Sequence, residues 1–534
     1  MEPFDYVIVG AGSAGCVLAN RLSADRGVRV LLLEAGPEPR DPWIKIPAGM
    51  ARLFAPGPHN WGYLTEPEAE LDGRRIYWPR GKGLGGSSAI NGMLYVRGHP
   101  LDYEHWRQLG NPGWGWEDVL PLFKRGERNE RGEGETRGGR GELAVTDPVM
   151  RHSFPKLFIR ASQAAGFALN EDFNDGVQDG VGFLQFTIRN GARCSSYEAF
   201  VRPVRHRANL TVITEAQVEK VLIEGRKATG VSFRKRGERH LVRCRREVIL
   251  AGGVINSPQL LMLSGVGPAD HLRGLGLDVV RDLPGVGRNL HDHMYASIVY
   301  RTTRRHSVNH LIRGARAYAE GARYILLRSG VLTNGTSQTS LFARVTPGVE
   351  QPDIQINTRP LSFAPVAGGG IEVASEPSVT VSVCQLRPES RGLLTLITPD
   401  VGDAPRIEAH YFESAVDQQV MVAGVKLARQ IMDHPLMRAE GFSEGFEAPR
   451  DDEGLLAYLR GILGPVYHPV GTCKMGPDRL AVVDPALRVH GVEGLRVADA
   501  SIMPAITSGN TNAPAIMIGE KAADLVRAAW AGAL

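Results

Sequence analysis

A glycine-rich turn between two strand patterns near the start of the chain constrains the fold most strongly. Residues 6–9 form a short apolar run typical of a buried strand, and glycines at positions 10, 12 and 15 follow in the sequence GAGSAG. An Ala/Leu-rich stretch then ends near Leu22, and a second apolar run, residues 28–33, ends at Glu34. The order strand, glycine turn, helix, strand predicts a βαβ unit in a parallel sheet.

The spacing of this turn predicts a dinucleotide site. Gly10 would permit the tight turn, Gly12 would let the backbone approach a pyrophosphate, and Gly15 would let helix and strand pack closely. The helix N-terminus would face the anion, and Glu34, nineteen residues after Gly15, is placed to bind a ribose hydroxyl. Glycines that served a turn alone would need neither this spacing nor the acidic residue.

Two later strand patterns join the same sheet only if distant parts of the chain come together. Residues 247–251 precede Gly252, and residues 495–498 precede Asp499. We therefore predict an α/β fold in which a Rossmann-like domain is assembled from discontinuous segments.

The middle of the chain has a different pattern. Residues 378–383 and 392–397 are alternating runs separated by Pro and Gly, which predicts an antiparallel sheet in a second, α+β domain that lines the substrate pocket. Residues 125–141 are Gly-rich and charged, which predicts a solvated loop, with a functional lid as the alternative. The predicted boundaries are residues 1–155, 195–300 and 462–534 for the nucleotide-binding domain and residues 156–194 and 301–461 for the substrate-binding domain.

A second glycine-rich stretch favours FAD over NAD as the dinucleotide. Residues 80–92 read RGKGLGGSSAING and are followed by an apolar stretch. Their backbone N–H groups would contact a second part of a long cofactor. An ordinary surface turn is the weaker interpretation of so many glycines ahead of an apolar segment.

Charge and cysteine content exclude several classes of protein. The formal net charge of +4 is too close to balance for nucleic acid to be the main partner. Five scattered cysteines without a CxxC pair imply neither a disulfide framework nor a zinc site and favour a reducing compartment. The sequence shows no secretory signal pattern and no apolar run long enough to span a membrane. We predict a cytoplasmic protein without a transmembrane segment, with peripheral membrane attachment left open.

Several longer motifs together resemble one enzyme family. They are the GAGSAG start, GLGGSSAINGMLYVRG (83–98), AGGVINSPQLLMLSGVGP (251–268), GVGRNLHDH (285–293), HPVGTCKMG (468–476) and TSGNTNAPAIMIGEKAADL (507–525). Their order and combination are similar to those of the glucose-methanol-choline oxidoreductases over nearly the whole chain. The resemblance implies an FAD-binding domain, a substrate domain with an antiparallel sheet, and oxidation of an alcohol by hydride transfer to flavin N5.

The resemblance also implies which residues contact the cofactor. Val218 would contact the adenine, and Asp499 and Ala500 the ribityl and pyrophosphate region. Some relatives tether FAD through a histidine where Ile90 stands here, so the cofactor is expected to bind non-covalently. The full predicted set is Gly10, Gly12, Ser13, Ala14, Gly15, Glu34, Ala35, Arg80, Gly85, Gly86, Ser88, Asn91, Gly92, Met93, Val218, Ala251, Asp499, Ala500, Asn512, Ala513 and Pro514.

Two residues are predicted to carry the chemistry. An alcohol is about as weak an acid as water, with a pKa of roughly 16, so hydride departure needs a base for the hydroxyl proton. The imidazole of His468, in the HPVGTCKMG match, suits that role, and Asn512 occupies the place where family members carry Asn or His. Asn512 would donate a hydrogen bond to the substrate oxygen.

The last helix is expected to start without a side-chain cap. Pro514 suits the first helical position, and Ala513 before it has no capping side chain. The first N–H groups would then be free to face the negative charge of a reduced flavin near N1 and C2=O.

The substrate pocket is expected to be polar and uncharged. Choline-oxidising relatives place a glutamate there, and Gln338 stands at the position that aligns with it by eye, among Thr336, Ser337 and Thr339. Loss of that countercharge argues against choline and favours a neutral polar alcohol, followed by an aliphatic or aromatic primary alcohol. Tyr467 is predicted as a further substrate contact.

Three functional classes remain open at the level of sequence. The first is an FAD-dependent alcohol dehydrogenase that passes electrons to a quinone or a dye-like carrier, or its oxidase variant that uses O2, a choline-type enzyme included. The second is a lyase of the hydroxynitrile lyase type, and the third is a flavin-binding protein without turnover. His291 and His293 form a tempting metal pair, but no third ligand has convincing spacing, so no metal is predicted and the pair is expected to pack beside the cofactor domain.

Overall fold

The computed structural model describes residues 2–335, 337–365, 371–445 and 449–531. Two seven-stranded sheets organise these residues. Their strands are β1 (Phe4–Val9), β2 (Val30–Leu33), β3 (Gly180–Phe183), β4 (Leu210–Ile213), β5 (Gln217–Glu224), β6 (Lys227–Lys235), β7 (Glu238–Leu250), β8 (Met294–Arg301), β9 (Thr339–Ala343), β10 (Ile354–Arg359), β11 (Ser378–Gln385), β12 (Ser443–Glu444), β13 (Gly464–Pro465) and β14 (Leu495–Val497).

Helices cover the sheets and connect their strands. The longest, α12, closes the chain and packs along α1, while α9 packs against the antiparallel sheet. The helices are α1 (Ser13–Leu22), α2 (Met50–Leu53), α3 (Pro100–Gln108), α4 (Trp116–Gly126), α5 (Ser153–Ala164), α6 (Gly253–Leu263), α7 (Ala269–Gly274), α8 (Gly314–Leu327), α9 (Ala415–Met432), α10 (Pro435–Ala439), α11 (Asp452–Ile462) and α12 (Asn512–Trp530).

The first sheet has the order β4-β2-β1-β7-β6-β5, with β14 pairing β7 on its other side. Strands β4, β2, β1, β7 and β14 run parallel, in the register Tyr6↔Val30 and Ile8↔Ile249. Every residue of β1 is buried, as expected for a central parallel strand with both faces covered. The predicted assembly from distant segments is confirmed, because β1, β7 and β14 are neighbours.

The second sheet is antiparallel, in the order β12-β8-β11-β10-β9-β3, with β13 also pairing β8. The sequence of strand β11 explains why the two faces of this sheet differ. Val379, Val381 and Val383 alternate with Ser382 and Cys384, so one face is aliphatic and meets α9 while the other carries polar and thiol groups. The predicted antiparallel sheet is therefore confirmed, and its polar face is free to line a cavity.

Two details of this region differ from the sequence expectations. Residues 294–301 form β8 of the antiparallel sheet, and β13 also pairs with β8, although the predicted boundaries gave residues 294–300 and 464–465 to the nucleotide-binding domain. Both segments pair through backbone hydrogen bonds, which composition does not reveal. The run at 392–397 forms a strand only at Leu393–Thr395, in a separate ribbon with Arg406–Glu408.

The segment 125–141 is also not a solvated loop. Helix α4 extends into it, and Glu127–Asn129 pairs in parallel with Leu143–Val145. Glu127 is buried and forms an ion pair with the fully buried Arg97. Glycines in this segment allow close backbone packing: a Cβ at Gly138 would lie 2.0 Å from the carbonyl oxygen of Lys124. Among the described residues, no helix is long and apolar enough to cross a lipid bilayer.

Candidate active site

A cavity open to solvent is lined by residues of both sheets. Ligand and cofactor sites occur preferentially in clefts between two such structural units. The predicted cofactor residues that line it are Gly10, Gly12, Ser13, Ala14, Glu34, Ala35, Arg80, Gly86, Asn91, Gly92, Met93, Val218, Ala251, Asp499, Ala500 and Asn512. Gly15, Gly85, Ser88, Ala513 and Pro514 are outside the lining.

In the first glycine turn, Gly15 serves the packing of α1 on β1, and Gly12 leaves the backbone open to a ligand. A Cβ at Gly15 would lie 1.9 Å from the carbonyl oxygen of Gly10, so helix α1 reaches β1 only with glycine there. A Cβ at Gly12 would meet nothing closer than the Ala251 oxygen at 3.8 Å. Gly12 is also the N-cap of α1, where no side chain caps the helix. The first N–H groups of α1 are therefore available to an anion in the cavity.

Glu34 joins the two glycine-rich loops. Its buried carboxylate accepts hydrogen bonds from the backbone N–H groups of Ala11, Gly36 and Gly83 at 2.8–2.9 Å. Burial raises the pKa of Glu34, and the three N–H donors act in the opposite direction. An ionised carboxylate offers about four acceptor positions, so one remains for the predicted ribose hydroxyl.

The second loop is pressed against the first. The N–H of Gly85 donates to the carbonyl of Ala11 at 2.8 Å, and a Cβ at Gly86 would lie 2.7 Å from the Cα of Gly12. Ser88 braces the loop from behind, donating to the Gly85 carbonyl and accepting from the N–H of Ser196. Gly85 and Ser88 thus support the predicted cofactor loop rather than line the cavity.

Helix α12 brings a second uncapped N-terminus to the cavity. It starts at Asn512, with Thr511 at the N-cap and no side-chain cap, so Pro514 is the third helical residue and not the first as predicted. The amide oxygen of Asn512 accepts a hydrogen bond from the Ser13 hydroxyl at 2.7 Å. This contact ties the start of α12 to the start of α1, and both ends can face the same anionic ligand.

His468 is half-buried in the cavity wall, and the amide beside its ring belongs to Asn510. The amide of Asn510 donates to Nε2 of His468 at 3.0 Å, whereas Asn512 is engaged with Ser13. Both asparagines line the cavity. The structure therefore brings Asn510, two residues before the predicted partner, to the imidazole.

A chain of hydrogen bonds fixes the tautomer of His468. Nε2 of the buried His293 lies 3.0 Å from the carbonyl oxygen of Leu386, which can only accept, so this nitrogen carries hydrogen. Burial lowers the pKa of His293 to about 4, so its other nitrogen, Nδ1, holds a lone pair. Because Nδ1 of His468 lies 3.1 Å from that lone pair, it must donate. Nε2 of His468 is left as the acceptor that faces Asn510.

Burial lowers the pKa of His468 well below its usual value, with His293 and Arg80 adding to the effect. The imidazole is therefore neutral near pH 7 and able to accept a proton. Asp292 holds its backbone: Oδ1 accepts from the His468 N–H at 2.7 Å, and Oδ2 accepts from the Tyr411 hydroxyl at 2.8 Å. Burial raises the pKa of Asp292 to about 6.

The turn before His468 is held in an unusual conformation. Tyr467, which lines the cavity as predicted, has φ of +64°, a left-handed value that is rare for a bulky residue. The guanidinium of Arg80 donates to the carbonyl oxygen of Tyr467. Arg80 thus fixes the backbone that presents the imidazole.

Sequence reasoning gave no role around His468 to Asn510, His293 or Asp292, which the structure places in contact with it. The signals were present, since Asn510 and Asn512 share the NTN sequence and the other two belong to the HDH run, whose histidines were expected to pack beside the cofactor domain. Among the described residues, no group of three or more His, Cys, Asp or Glu side chains could hold a metal ion. The HDH run instead supports His468.

The predicted substrate residue Gln338 does not line the cavity. Its amide oxygen accepts from the N–H of His152 at 3.1 Å. Ser337 does line the cavity, Thr339 is bonded to Thr358 inside the sheet, and Thr336 lies outside the described residues. Gln338 precedes strand β9, and its side chain is buried against the backbone of His152 instead. The polar wall of the cavity comes from Tyr295, Asn357, Arg359, Ser382 and Cys384.

These features fit FAD. The two contacting glycine loops, the two uncapped helix ends and Glu34 form a cradle for a long anionic dinucleotide, and Ile90, which lines the cavity, offers no nucleophile for a covalent link. A neutral imidazole and an amide donor lie in the same cavity. A dinucleotide cradle beside a neutral imidazole is the arrangement that a flavin-dependent oxidoreductase site requires.

Comparison with known proteins gives the family. The GMC oxidoreductase family models match residues 4–295 and 388–519, and this chain belongs to the GMC oxidoreductases. It is 43% identical to an alcohol dehydrogenase [acceptor] of Pseudomonas putida, covering 98% of this chain and 95% of that one. Human mitochondrial choline dehydrogenase is 42% identical, with 98% and 90% covered.

Solved structures show the same fold. Pyridoxine 4-oxidase from Mesorbium loti is 31% identical with a TM-score of 0.88, and 98% of each chain is covered. A variant of the formate oxidase of Aspergillus oryzae RIB40 is 28% identical with a TM-score of 0.92, again with 98% of each chain covered. FAD is the cofactor of the family.

Proposed function

We propose that this protein oxidises an alcohol to the carbonyl compound, with His468 as general base and Asn510 as the donor to the substrate oxygen. The observation that carries the proposal is the lone pair on Nε2 of His468, fixed by His293 and directed to Asn510 within the cofactor cavity. The parallel sheet with its glycine turn would be the Rossmann-like, FAD-binding part, and FAD would bind non-covalently. Asn510 replaces Asn512 in the predicted catalytic pair.

The residues would act on the hydroxyl group. A substrate hydroxyl that replaces the Asn510 amide at the lone pair of His468 would give its proton to Nε2, because the imidazole is neutral near pH 7. The Asn510 N–H would then donate to the same oxygen as negative charge develops. Bound FAD supplies the acceptor for the hydride at N5. The Nδ1 hydrogen bond to His293 holds the imidazole in one orientation throughout.

The cavity wall disfavours choline as substrate, although choline dehydrogenase is the name of several relatives. The acids in the lining are Glu34 and Asp499. Glu34 is engaged with backbone N–H groups, and Asp499 accepts from Gly253, Ser257 and Ser501. Neither lies on the antiparallel sheet, whose contribution to the lining includes the cation Arg359. An alcohol without a positive charge fits this wall better.

We also propose the electron acceptor and the cellular compartment of the enzyme. The acceptor would be a quinone, a dye-like carrier or O2, and peroxide formation under air distinguishes the last from the others. All five cysteines are free thiols, which supports a reducing, cytoplasmic compartment.

The test is anaerobic flavin reduction in the holoenzyme, followed in the visible absorbance of the flavin by stopped flow across a panel of alcohols. His468→Ala should lower the rate constant by about 10²- to 10⁴-fold with FAD still bound. A loss below tenfold would remove His468 from the role. Conversion of a cyanohydrin without flavin bleaching would identify the lyase alternative instead. Release of free FAD on denaturation would confirm non-covalent binding.

A further inference from the structure

The antiparallel sheet presents one arginine to the substrate cavity. Asn357 and Arg359, at the end of β10, lie on the same face as Ser382 of β11, because Asn357 is directly opposite Ser382 in the register. All three line the cavity. The face is polar throughout this region, since Ser297 also bonds to Ser382 at 2.9 Å.

Arg359 has no countercharge among the described residues. Among the described residues, its guanidinium donates only to the hydroxyl of Ser382, and none of their carboxylates lies within ion-pair distance. Nε is buried without an acceptor, and the guanidinium carbon lies 5.6 Å from the ring centre of Tyr295. A guanidinium remains charged at every physiological pH and has five N–H donors, most of which are unused here.

A second unused donor lies beside it. The amide oxygen of Asn357 accepts from the Ser340 hydroxyl at 2.7 Å, which leaves the amide NH2 of Asn357 without an acceptor in the described part of the chain. Unsatisfied donors and an unpaired cation are costly when water is excluded, unless a ligand supplies acceptors. One guanidinium and one amide match a single carboxylate group, because a phosphate dianion would call for more positive charge.

We propose that Arg359 and Asn357 bind a carboxylate carried by the substrate, so that the enzyme oxidises a hydroxycarboxylate. The carboxylate would lie at the sheet wall while the hydroxyl group lies at His468. This inference rests on the proposed function and names its substrate class. The same arginine would repel the quaternary ammonium group of choline, which agrees with a cavity wall that disfavours choline.

The experiment compares a series of ω-hydroxycarboxylates of increasing chain length with their neutral methyl esters. Flavin reduction is measured anaerobically for the wild-type holoenzyme, for Arg359→Met and for the matched control Arg301→Met, which alters an exposed arginine of the same sheet. At the best chain length, the wild type should have a kcat/KM for the acid about 10- to 100-fold above that for the ester. Arg359→Met should remove this preference by lowering the kcat/KM for the acid to about that for the ester, whereas Arg301→Met should keep it.

The outcomes are separable. A wild-type preference for the esters would overturn the proposal, and so would equal loss of acid and ester oxidation in Arg359→Met with normal FAD content. Failure of the wild type to oxidise any alcohol would contradict the proposed function itself. Equilibrium binding of an unreactive dicarboxylate, followed by its perturbation of the flavin spectrum, provides a second readout. It should weaken about 10-fold or more in Arg359→Met and in Asn357→Leu.

A different observation carries a second inference. Helix α8 exposes Tyr318, Ile325, Leu326 and Leu327, whose accessible fractions are 84%, 72%, 79% and 70%. Tyr324 is its one buried side chain. Tyr318, Ile325 and Leu326 follow the i, i+7, i+8 spacing of one helix face. An apolar face of this kind, directed away from the core, marks an interaction surface.

The charge around this face is strongly positive. Residues 301–328 contain seven arginines and one acidic residue, Glu320. Among them, Arg304 and Arg316 are exposed and have no carboxylate partner in the described part of the chain. Arg328, at the end of α8, packs over the ring of Tyr324.

We infer that α8 docks on the surface of an anionic lipid bilayer. Its apolar face would enter the boundary between headgroups and acyl chains, and the arginines would contact lipid phosphates. The charge complementarity favours this occupant, because an arginine-rich patch repels a second copy of itself. A lipid-soluble quinone would then be within reach as an electron acceptor.

Co-sedimentation of the holoenzyme with vesicles tests the inference. Binding should be at least about tenfold stronger to vesicles of phosphatidylcholine with phosphatidylglycerol than to phosphatidylcholine alone, and should weaken with salt. A triple variant, Tyr318→Ser, Ile325→Ser and Leu326→Ser, should abolish it, whereas Val177→Ser and Leu241→Ser, at exposed positions elsewhere, should not. Absence of binding to both vesicle types would overturn the proposal, as would a dimer in solution that the triple variant dissociates.

Discussion

Nδ1 of His293 lies 3.1 Å from Nδ1 of His468, with the two rings nearly perpendicular at 86°. His293 comes from the chain just before β8 and His468 from the segment after β13, so the sheet pairing of these strands brings the rings together. The contact determines which nitrogen of His468 has the lone pair. Under the proposed function, His293 would therefore decide whether His468 can accept the substrate proton.

Replacement of His293 tests this relationship. His293→Leu removes the acceptor for Nδ1 of His468 and should lower the flavin reduction rate about 10- to 100-fold. His293→Gln keeps an acceptor oxygen and an N–H for Leu386, so it should recover most of the rate. If the leucine and glutamine variants lose activity equally with normal FAD content, the role of His293 is packing alone.

Asn510 and Asn512 should behave differently. Asn510→Ala removes the donor beside Nε2 of His468 and should reduce the flavin reduction rate about 10²- to 10³-fold without loss of FAD. Asn512→Ala should mainly weaken FAD retention, as should Ser13→Ala, because the two residues tie α12 to α1. A larger rate defect in Asn512→Ala than in Asn510→Ala would restore the original sequence prediction.

The pH profile of flavin reduction follows from the burial of His468. Because burial lowers the pKa of this imidazole well below 6.5, the unprotonated, active form persists into mildly acidic solution. The rate constant should therefore be level from neutral pH downward and fall only when the pH drops through that lowered pKa. Stopped-flow rates between pH 5 and 9 check this, and a fall that begins above about pH 7 would contradict it.

Two glycines of the first turn should fail in different ways. Gly15→Ala places a Cβ 1.9 Å from the Gly10 carbonyl oxygen and should destabilise the fold by about 3 kcal/mol or more. At Gly12 the backbone is extended, and an added Cβ would meet no protein atom closer than 3.8 Å. Gly12→Ala should therefore keep the fold but lose FAD affinity at least tenfold. Urea midpoints and FAD content distinguish the two, and similar behaviour of both variants would argue against a cofactor at Gly12.

The buried ion pair between Arg97 and Glu127 predicts a stability effect far from the active site. Glu127→Gln leaves the guanidinium of Arg97 buried without a countercharge and should cost about 3–5 kcal/mol. Glu133→Gln, in the same segment but paired with the exposed Arg140, should change stability by less than about 1 kcal/mol. Urea denaturation of both variants is the measurement. Equal, small effects would mean that segment 125–141 is as solvated as its composition indicates.

The sequence predicted those features that depend on backbone geometry and local pattern. The glycine spacing of the first turn is one, because only glycine lets the backbone come as close as Gly15 does to Gly10. The alternation of valines with polar residues in β11 is another, since side chains of a strand point to opposite faces in turn. The cofactor cradle and the antiparallel sheet follow from these local rules.

Only the tertiary structure decided which side chains meet. Asn510 and Asn512 have the same chemistry two residues apart, and the start of α12 determines which of them contacts His468. Arg359 lines the cavity and Gln338 does not, and a pattern of residue types does not contain this difference. Residues far apart in the chain are brought to one cavity by sheet pairing and helix packing. Such contacts depend on the whole fold and leave no local signal in the sequence.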